Sequence, residues 1–421
     1  MTPEDSLKPK HVLFLTYHLP LENEPGAFRP WMEARLLKSS GHDVTVITSG
    51  VQYMTGEDIR PYKAWCTEEI IEGIRILRTW APKYHRRSLF RRISNYFSYA
   101  ILGGLAAILK VPKVDRIFAG TDPIFIMPIV YLISLIKHAP MVLDERDLYP
   151  ETAIALGVMK PGMFAKFFFK LQQFFRKQAI AILAATPGIR KRLIDYGISP
   201  QKIFLLYNAD AFLNNSLPSS GDSSLSLHKL INKKILVGYV GGLGKANDVL
   251  TLLKAAMRLK NFKQIGFIIV GSGEKREEYI NFCKENNLDN VLFLSAVSRK
   301  EARNLIRQLD ICLHLYPKRK LFKGALASKT FDYLALGKPM TFCGSGDTAE
   351  LLQKSGGGVV VPPEDDKALA EAILMLAENK NLRQKMSNFA QEWYKKNINL
   401  KAARNTVRKA IERISSDSKK D

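Results

Sequence analysis

Cysteine is scarce: four in 421 residues, at Cys66, Cys283, Cys312 and Cys343. No two stand at zinc-site or thioredoxin spacing. That excludes a disulfide scaffold and a Cys-x-x-Cys redox centre, and predicts reduced thiols of a cytoplasmic protein. Long apolar runs are lacking as well. The uncharged run Pro123–Ile136 contains Pro128 and falls short of the roughly 20 residues that a membrane-spanning helix needs. The opening MTPEDSLKPKHVLFLTYHLP starts acidic and has too short an apolar stretch for a signal peptide. There is no Asp-x-Asp triad and no His/Cys/carboxylate cluster at ligand spacing, so neither metal nor cofactor is expected. Carboxylates are in deficit overall. Asp and Glu number 40 against 63 Lys and Arg, a formal net charge of +23. A surplus of that size implies an anionic partner: nucleic acid, an anionic membrane surface or a phosphorylated substrate.

The length exceeds what one hydrophobic core usually serves, which predicts two domains. HVLFLTYHL (11–19) reads as a strand. FRPWMEARLLKSSGH is a helix closed by Gly41, and DVTVITSG is the next strand, a βαβ opening that implies a parallel sheet. Further strands are IRILRTW, DRIFAG, APMVLDERD, AIAILAAT and KIFLLYNAD, with helices between them. Residues 212–233 are rich in Ser and Asn and read as a linker. A second α/β series begins with KILVGYVGGLG and IGFIIVGSGEK and continues through VLFLSAV, ICLHLY, PMTFCG and GGVVVPP. The expected organisation is a first Rossmann-like domain over 1–211, the linker, a second over 234–388, and a last helical segment, 389–421, crossing back to the first. Ligands in doubly wound sheets bind at the carboxyl ends of the strands, here in the cleft between two facing domains.

Several motifs fall at those strand ends. GYVGGLGKA is not a P-loop, because Gly238 to Gly244 is one residue too long and Ala246 follows Lys245. It leaves a turn of Gly241, Gly242 and Gly244 at a helix start, where backbone can approach a diphosphate and Lys245 adds a cation. Gly271 and Gly273 form a second such turn. ALASKTFDYLALGKP predicts a helix of two to three turns that stops at Gly337 and Pro339. Ser328 and Lys329 stand at its start and Asp332 one turn on, which suits a ligand with phosphates and a hydroxylated ring. PKRKLFK places Arg319 and Lys323 just before it. LDERDLYPE puts Asp147, among other charges, at a strand's carboxyl end. Each motif also has a plain reading, as a tight turn, a capped helix, a solvated loop or an Arg–carboxylate network.

Two segments bear on the charge. YHRRSLFRR carries Arg86, Arg87, Arg91 and Arg92. In MFAKFFFKLQQFFRKQ, a helical wheel gathers Phe164, Phe167, Phe168, Leu171, Phe174 and Phe175 on one face, expected to be buried. Phe169 falls nearly opposite, among Lys166, Gln173 and Arg176. Cations around an outward aromatic suit a membrane interface; a subunit contact or a lone exposed Phe is the alternative.

Taken in order, LENEPGAFRPWMEARLLKSSGHDVTVIT, RDLYPETAIALG, ATPGIRKRL…NADAF, GGLGKANDVLTLLKAA, ASKTFDYLALGKP and GGGVVVPPEDDKALAEAI resemble the GT-B-fold glycosyltransferases of family 4. The similarity is greatest to the branch that builds bacterial surface polysaccharides. It implies an α/β, GT-B architecture: two Rossmann-like, doubly wound domains facing across a cleft. It implies donor contacts from Gly26 and Arg29 in the first loop, from both glycine turns, and from Val297, Ser328 and Asp332. The helix acid would bind ribose, and Ser-Lys with the glycine turns the diphosphate. Three departures stand out. The family usually has Glu where Asp332 stands, and the broader family has Glu where Gly324 stands. Its Arg and Lys after the glycine loop correspond to Gly242 and Asn247. Diphosphate charge would then come from Lys245, Lys329, Arg319 or Lys323. Arg146 stands where the broader family has His, with Asp147 beside it as a catalytic or acceptor-binding candidate.

The expectation is thus a retaining, metal-independent transferase, peripheral at the cytoplasmic face of the cell membrane. It would move a sugar from a nucleoside diphosphate, UDP first, to a hydroxyl of a glycan or lipid-linked glycan. Its partners would include an anionic membrane surface and no specific nucleic acid. The alternatives are a GT-B sugar epimerase, a non-catalytic GT-B scaffold and a basic nucleic-acid binder. For the last of these, no helix-turn-helix, zinc finger or RNA-binding signature is present.

Overall fold

In a computed structural model of the chain, each α/β series forms its own parallel sheet. The structure describes residues 10–20, 28–52, 57–58, 64–83, 89–155, 157–212, 227, 232 and 234–413, without the side chains of Leu89 and Arg92. The first sheet contains β1 (His11–Leu15), β2 (Asp43–Ser49), β3 (Cys66–Ile71), β4 (Ile74–Thr79), β5 (Arg116–Gly120), β6 (Met141–Glu145), β7 (Ala181–Ala184) and β8 (Ile203–Leu205). Its order is β3-β4-β2-β1-β5-β6-β7-β8. Only β3 runs antiparallel. The motif reading had no strand there. CTEEII is held at the edge by cross-strand pairs, Glu68 with Arg75 and Glu69 with Arg78. The second sheet contains β9 (Ile235–Val240), β10 (Ile265–Val270), β11 (Val291–Leu294), β12 (Ile311–Leu315), β13 (Met340–Cys343) and β14 (Gly358–Val361). Its order is β11-β10-β9-β12-β13-β14, so the winding reverses beside β9. That reversal opens a crevice at the carboxyl end of β9, where the glycine turn lies.

Helices cover both faces of the first sheet. α1 (Arg29–Ser39) packs on one face. On the other lie α2 (Leu89–Leu109), α3 (Met127–Lys137), α5 (Met163–Gln178) and α6 (Pro187–Asp195), with the short α4 (Glu151–Ala155) preceding α5. The second domain supplies α7 (Val249–Arg258), α8 (Arg276–Glu285), α9 (Arg299–Gln308), α10 (Ser328–Ala335), α11 (Asp347–Ser355), α12 (Asp366–Glu378) and α13 (Lys380–Asn397). Most of the segment read as a linker lies outside the described residues. Leu227 is described and is buried in the second-domain core.

The chain returns to the first domain at Ile398–Asn399. Asn399 caps α14 (Leu400–Glu412) by accepting from Ala402 N–H at 2.8 Å. Val407, Ala410 and Ile411 then join the α1 face of the first core. The expected boundary near 388 therefore cuts through α13, which stays with the second domain and packs on α10.

One helix is rotated about its axis from its sequence reading: of the six residues expected inward, Phe175 is buried and Phe168 and Leu171 half-buried. In α5 the buried residues are Ala165, Gln172, Phe175 and Arg176, while Phe164, Phe167 and Phe174 face solvent. Phe169, expected outward, is half-buried and meets Tyr196 edge-on at 5.1 Å. The reason is electrostatic. Glu145 ends β6 fully buried and needs a cation, and Arg176 supplies it: its Nε donates to Oε1 at 2.7 Å and its Nη2 to Oε2 at 3.1 Å. Leaving that carboxylate unpaired would cost several kcal/mol, so the pair holds the Arg176 side of the helix against the sheet. Arg176 is therefore no membrane cation.

Arg176→Ala is expected to destabilise the first domain by about 3–5 kcal/mol, because Glu145 would remain buried without its counter-charge. Chemical denaturation should show this, with Arg176→Ala/Glu145→Ala recovering part of the loss; full stability in the single variant would refute the pair's role.

Candidate active site

The site assembles where the glycine turns of the second domain meet the start of α10. After β9 the chain passes through Gly241, and after β10 through Gly271 and Gly273, and the two turns lie on one another. Gly241 N–H donates to Val270 O at 2.9 Å, and Leu243 N–H to Ser272 O at 2.9 Å. A Cβ on Gly271 would stand 1.9 Å from Gly241 O, and one on Gly273 2.3 Å from Leu243 O. These glycines are required by backbone-on-backbone packing. Gly242 and Gly244 meet nothing closer than 3.9 Å, so their surroundings stay open to a ligand.

Gly241 lies against a side chain. A Cβ there would meet Lys329 Nζ at 2.3 Å. The ammonium donates to Tyr239 Oη at 2.9 Å and lies 4.0 Å from the centre of that ring. Tyr239 in turn donates to Gly242 O at 2.8 Å, so one buried phenol ties the turn to the lysine. Burial lowers the Lys329 pKa to about 7. A lysine so poised acquires full charge when an anion arrives. Ser328, half-buried, begins α10 beside it, and Lys245 is exposed on the turn.

Asp332 lies one turn along α10, in a setting the motifs did not disclose. Arg299 Nη2 reaches its Oδ1 at 3.0 Å and Arg303 Nε at 3.5 Å. Both arginines stand on α9, and Arg303 also holds Asp210 Oδ2 at 2.6 Å. Arg299 stacks 4.5 Å over Phe28 of the first domain. Their spacing, Arg299 and Arg303 four apart on one helix, was the available signal. Val297 is half-buried just before that helix.

The basic loop makes a neighbouring cavity. Arg319, Lys323, Lys318, Lys320, Tyr316 and Ser345 help to line about 320 Å³ that includes neither glycine turn nor Lys329. Arg319 also donates across the cleft to Ala155 O at 3.0 Å. Gly324, where the broader family has Glu, lies against the first domain. Its carbonyl accepts from Thr186 Oγ1 at 2.8 Å, and a Cβ on Gly188 would come within 2.6 Å of its Cα.

On the opposing wall, Arg29 does not reach the cleft. It is buried, with Nη2 on Asp144 Oδ1 at 2.6 Å, Nε 2.7 Å from Glu33 Oε1 and Nη1 donating to Leu206 O at 2.7 Å. The expected donor contact is thus corrected to a fold contact. Arg146 completes the cluster through Asp144 and Glu33. Burial and the Asp144 charge push the Glu33 pKa up, against the pull of Arg29 and Arg146. Asp147 is solvent-exposed beyond the end of β6. Asp122, absent from the motif reading, is pushed up to about 8 by burial and then by the Asp147 charge. Gly26, Arg86 and Arg87 lie outside the described residues. Among those described, no three His, Cys, Asp or Glu are grouped to hold a metal ion.

Residues 29–209 match the family model "Glycosyl transferase 4-like domain", and residues 227–393 match "Glycosyl transferases group 1". The chain is a group 1 glycosyltransferase of the GT-B fold. Solved structures agree on the architecture. The Anabaena protein Alr3699/HepE, crystallised with UDP and glucose, superposes with a TM-score of 0.70 at 14% identity, covering 96% of this chain and 100% of that one. Sucrose-phosphate synthase from Thermosynechococcus elongatus gives 0.70 at 14%, covering 94% and 96%. WaaG, a glycosyltransferase involved in lipopolysaccharide biosynthesis, gives 0.63 at 16%, covering 96% and 100%. No curated protein matches the sequence. The transferase thus places its glycine turns, Lys329 and Asp332 along one crevice of the second domain.

If Asp332 receives the donor ribose, Asp332→Ala should weaken UDP binding by about 1–3 kcal/mol, the worth of a charge-assisted hydrogen bond. Calorimetric titration measures this, and unchanged affinity would remove the residue from the site.

Proposed function

We propose that the transferase moves a sugar, with retention of configuration, from a UDP-sugar to a hydroxyl of a lipid-linked glycan, in the assembly of a cell-surface polysaccharide at the cytoplasmic face of the membrane. The observation that carries the donor half is the Lys329 ammonium beneath Gly241, at the start of α10. It is a cation with depressed pKa, set against the glycine turn that follows β9. In such a transfer the bond from the anomeric carbon to the diphosphate breaks, and negative charge grows on the leaving oxygen. A preorganised cation and backbone N–H groups stabilise that charge more in the transition state than in the ground state. Lys245 swings onto the same diphosphate from the open side of the turn. Ser328 adds a hydroxyl, and the N–H groups at the start of α10 complete the cradle.

Asp332 accepts from the ribose hydroxyls through Oδ2, since Arg299 and Arg303 hold Oδ1. The two arginines fix the shorter acid in place, which lets Asp stand where the family uses Glu. Val297 packs beside the base. The acceptor hydroxyl attacks from the side that the diphosphate leaves, and its proton passes to the departing phosphate oxygen, so no protein nucleophile is required. Asp147 and Asp122, on the first-domain wall, receive the acceptor's hydroxyls. Arg319 and Lys323 hold the outer charge of the donor or of a phosphorylated acceptor.

The sign of the pH dependence follows from Lys329. Its free pKa is about 7. Binding a diphosphate favours the charged form, so the complex takes up a proton above pH 7 and affinity falls as pH rises. Between pH 7 and 8.5 UDP affinity should drop on the order of tenfold, and Lys329→Met should flatten that slope. An unchanged slope in Lys329→Met would refute the assignment. Turnover in Lys329→Met should fall roughly 10²-fold or more. NMR of the first product formed from an α-linked UDP-sugar should show an α linkage; a β product would overturn retention.

A further inference from the structure

The rotation of α5 leaves a surface apart from the glycine turns and α10. On the helix, residues not facing the core divide into two adjoining strips. Phe164, Phe167 and Phe174 form one; Lys166, Lys170 and Lys177 form the other, and all six are exposed. Phe164 is 79% and Phe167 58% exposed. This strip is not isolated. Phe167 meets Phe168 at 5.6 Å, Phe168 meets Phe125 at 6.0 Å, and Phe125 meets Phe97 of α2 at 5.0 Å. Phe174 meets Tyr131 of α3 at 5.2 Å. Along α2 the outward stripe continues as Phe97, Ile101, Leu105 and Ile108, and α3 adds Leu132, Leu135 and Ile136, all exposed. Three neighbouring helices on one sheet face thus present one apolar surface, far beyond the scattered apolar residues of an ordinary exterior.

Charge says what covers it. None of α2, α3 and α5 contains an Asp or Glu. The sequence between Gly73 and Val114 has no carboxylate at all, and that between Thr152 and Ile194 has none either. A second copy of this chain would bring lysine against lysine with no acid to pair them. An anionic lipid bilayer supplies both requirements at once, acyl chains for the phenylalanines and phosphates for the lysines. We infer that the α2–α3–α5 face is the surface by which the protein docks on an anionic membrane, with Phe164 and Phe167 inserted and Lys166, Lys170 and Lys177 at the headgroups.

The topology sets its orientation. Each of these helices follows a strand of the first sheet and runs back along it, so its N-terminal end lies at the strands' carboxyl ends, beside the cleft. Phe125 just before α3, and Phe164 and Phe167 of α5, belong to those ends, with Phe97 two turns into α2. Docking on them sets the mouth of the cleft against the lipid. The use of this surface to deliver a lipid-linked acceptor rests on the transfer reaction proposed above. The docking itself does not, since it needs no turnover.

The test is co-sedimentation of the full chain with phosphatidylglycerol-containing vesicles and with pure phosphatidylcholine vesicles. Wild type should partition to the first and poorly to the second. Phe164→Ser/Phe167→Ser should lower partition roughly tenfold or more. Replacing Lys166, Lys170 and Lys177 by Gln should abolish the preference for the anionic lipid. Both variants should keep the wild-type melting temperature and UDP-induced thermal shift, because the changed side chains are exposed and lie outside the donor crevice. Loss of the UDP shift in wild type would sink the donor reading and leave docking standing. Phe167→Trp should show blue-shifted emission on anionic vesicles. Unchanged partition in the serine variant, or no emission shift in Phe167→Trp, would overturn the proposal. So would a solution dimer that the serine variant dissociates, which would assign the face to a second copy.

Discussion

Lys329 occupies the space that a side chain at position 241 would need. From that one exclusion much of the donor crevice follows. Glycine at 241 leaves the ammonium its place, and Gly271 must be glycine to pack on the carbonyl of Gly241. Tyr239, beneath them, offers the lysine both its oxygen and its ring and fastens the turn through Gly242. The cost is a partly desolvated ammonium, held near its neutral point until an anion restores a counter-charge. A stronger pairing, with a carboxylate, would have kept the lysine charged at all times and blunted its response to a diphosphate.

The first domain treats charge in the opposite way. At the carboxyl end of β6 the buried acids are each matched in place: Asp144 by Arg29 and Arg146, Glu145 by Arg176. These pairs link α1, β6 and α5 and so fix the wall of the cleft. They also consume the cations that a motif reading would assign to ligands. Beyond them Asp147 is exposed, and burial with the Asp147 charge raises the pKa of Asp122. One wall thus carries cations and, on the function proposed, meets the diphosphate, while the other carries acids.

The two walls touch where the family pattern breaks. Gly324 lies against Gly188, with Thr186 and Asp347 adding hydrogen bonds across the contact. The absence of Glu at 324 thereby coincides with an interdomain backbone approach. On the far side, Arg303 bridges Asp332 to Asp210, and Tyr394 donates to the Asp210 carbonyl. Asp332 is in this way tied to the segment where the chain leaves the first domain.

The alternation of strands and helices, the two glycine turns and the short helix with Ser328, Lys329 and Asp332 were legible in the sequence. Each depends on local rules: hydrophobic period, helix stops, and glycine at tight βα turns. The edge strand β3 was not legible, because CTEEII draws its support from β4 across a hairpin and not from its own apolar pattern. Nor was the partner of any charge. Arg29 and Arg176 read as free cations until the fold brought Asp144 and Glu145 to them, from 115 and 31 residues away. The same long-range pairing accompanies the rotation of α5. A helical wheel finds the apolar stripe of a helix but cannot say which side the core will take. Here the side that faces the core carries Arg176, the partner of a buried carboxylate 31 residues away, and only the tertiary structure brings the two together.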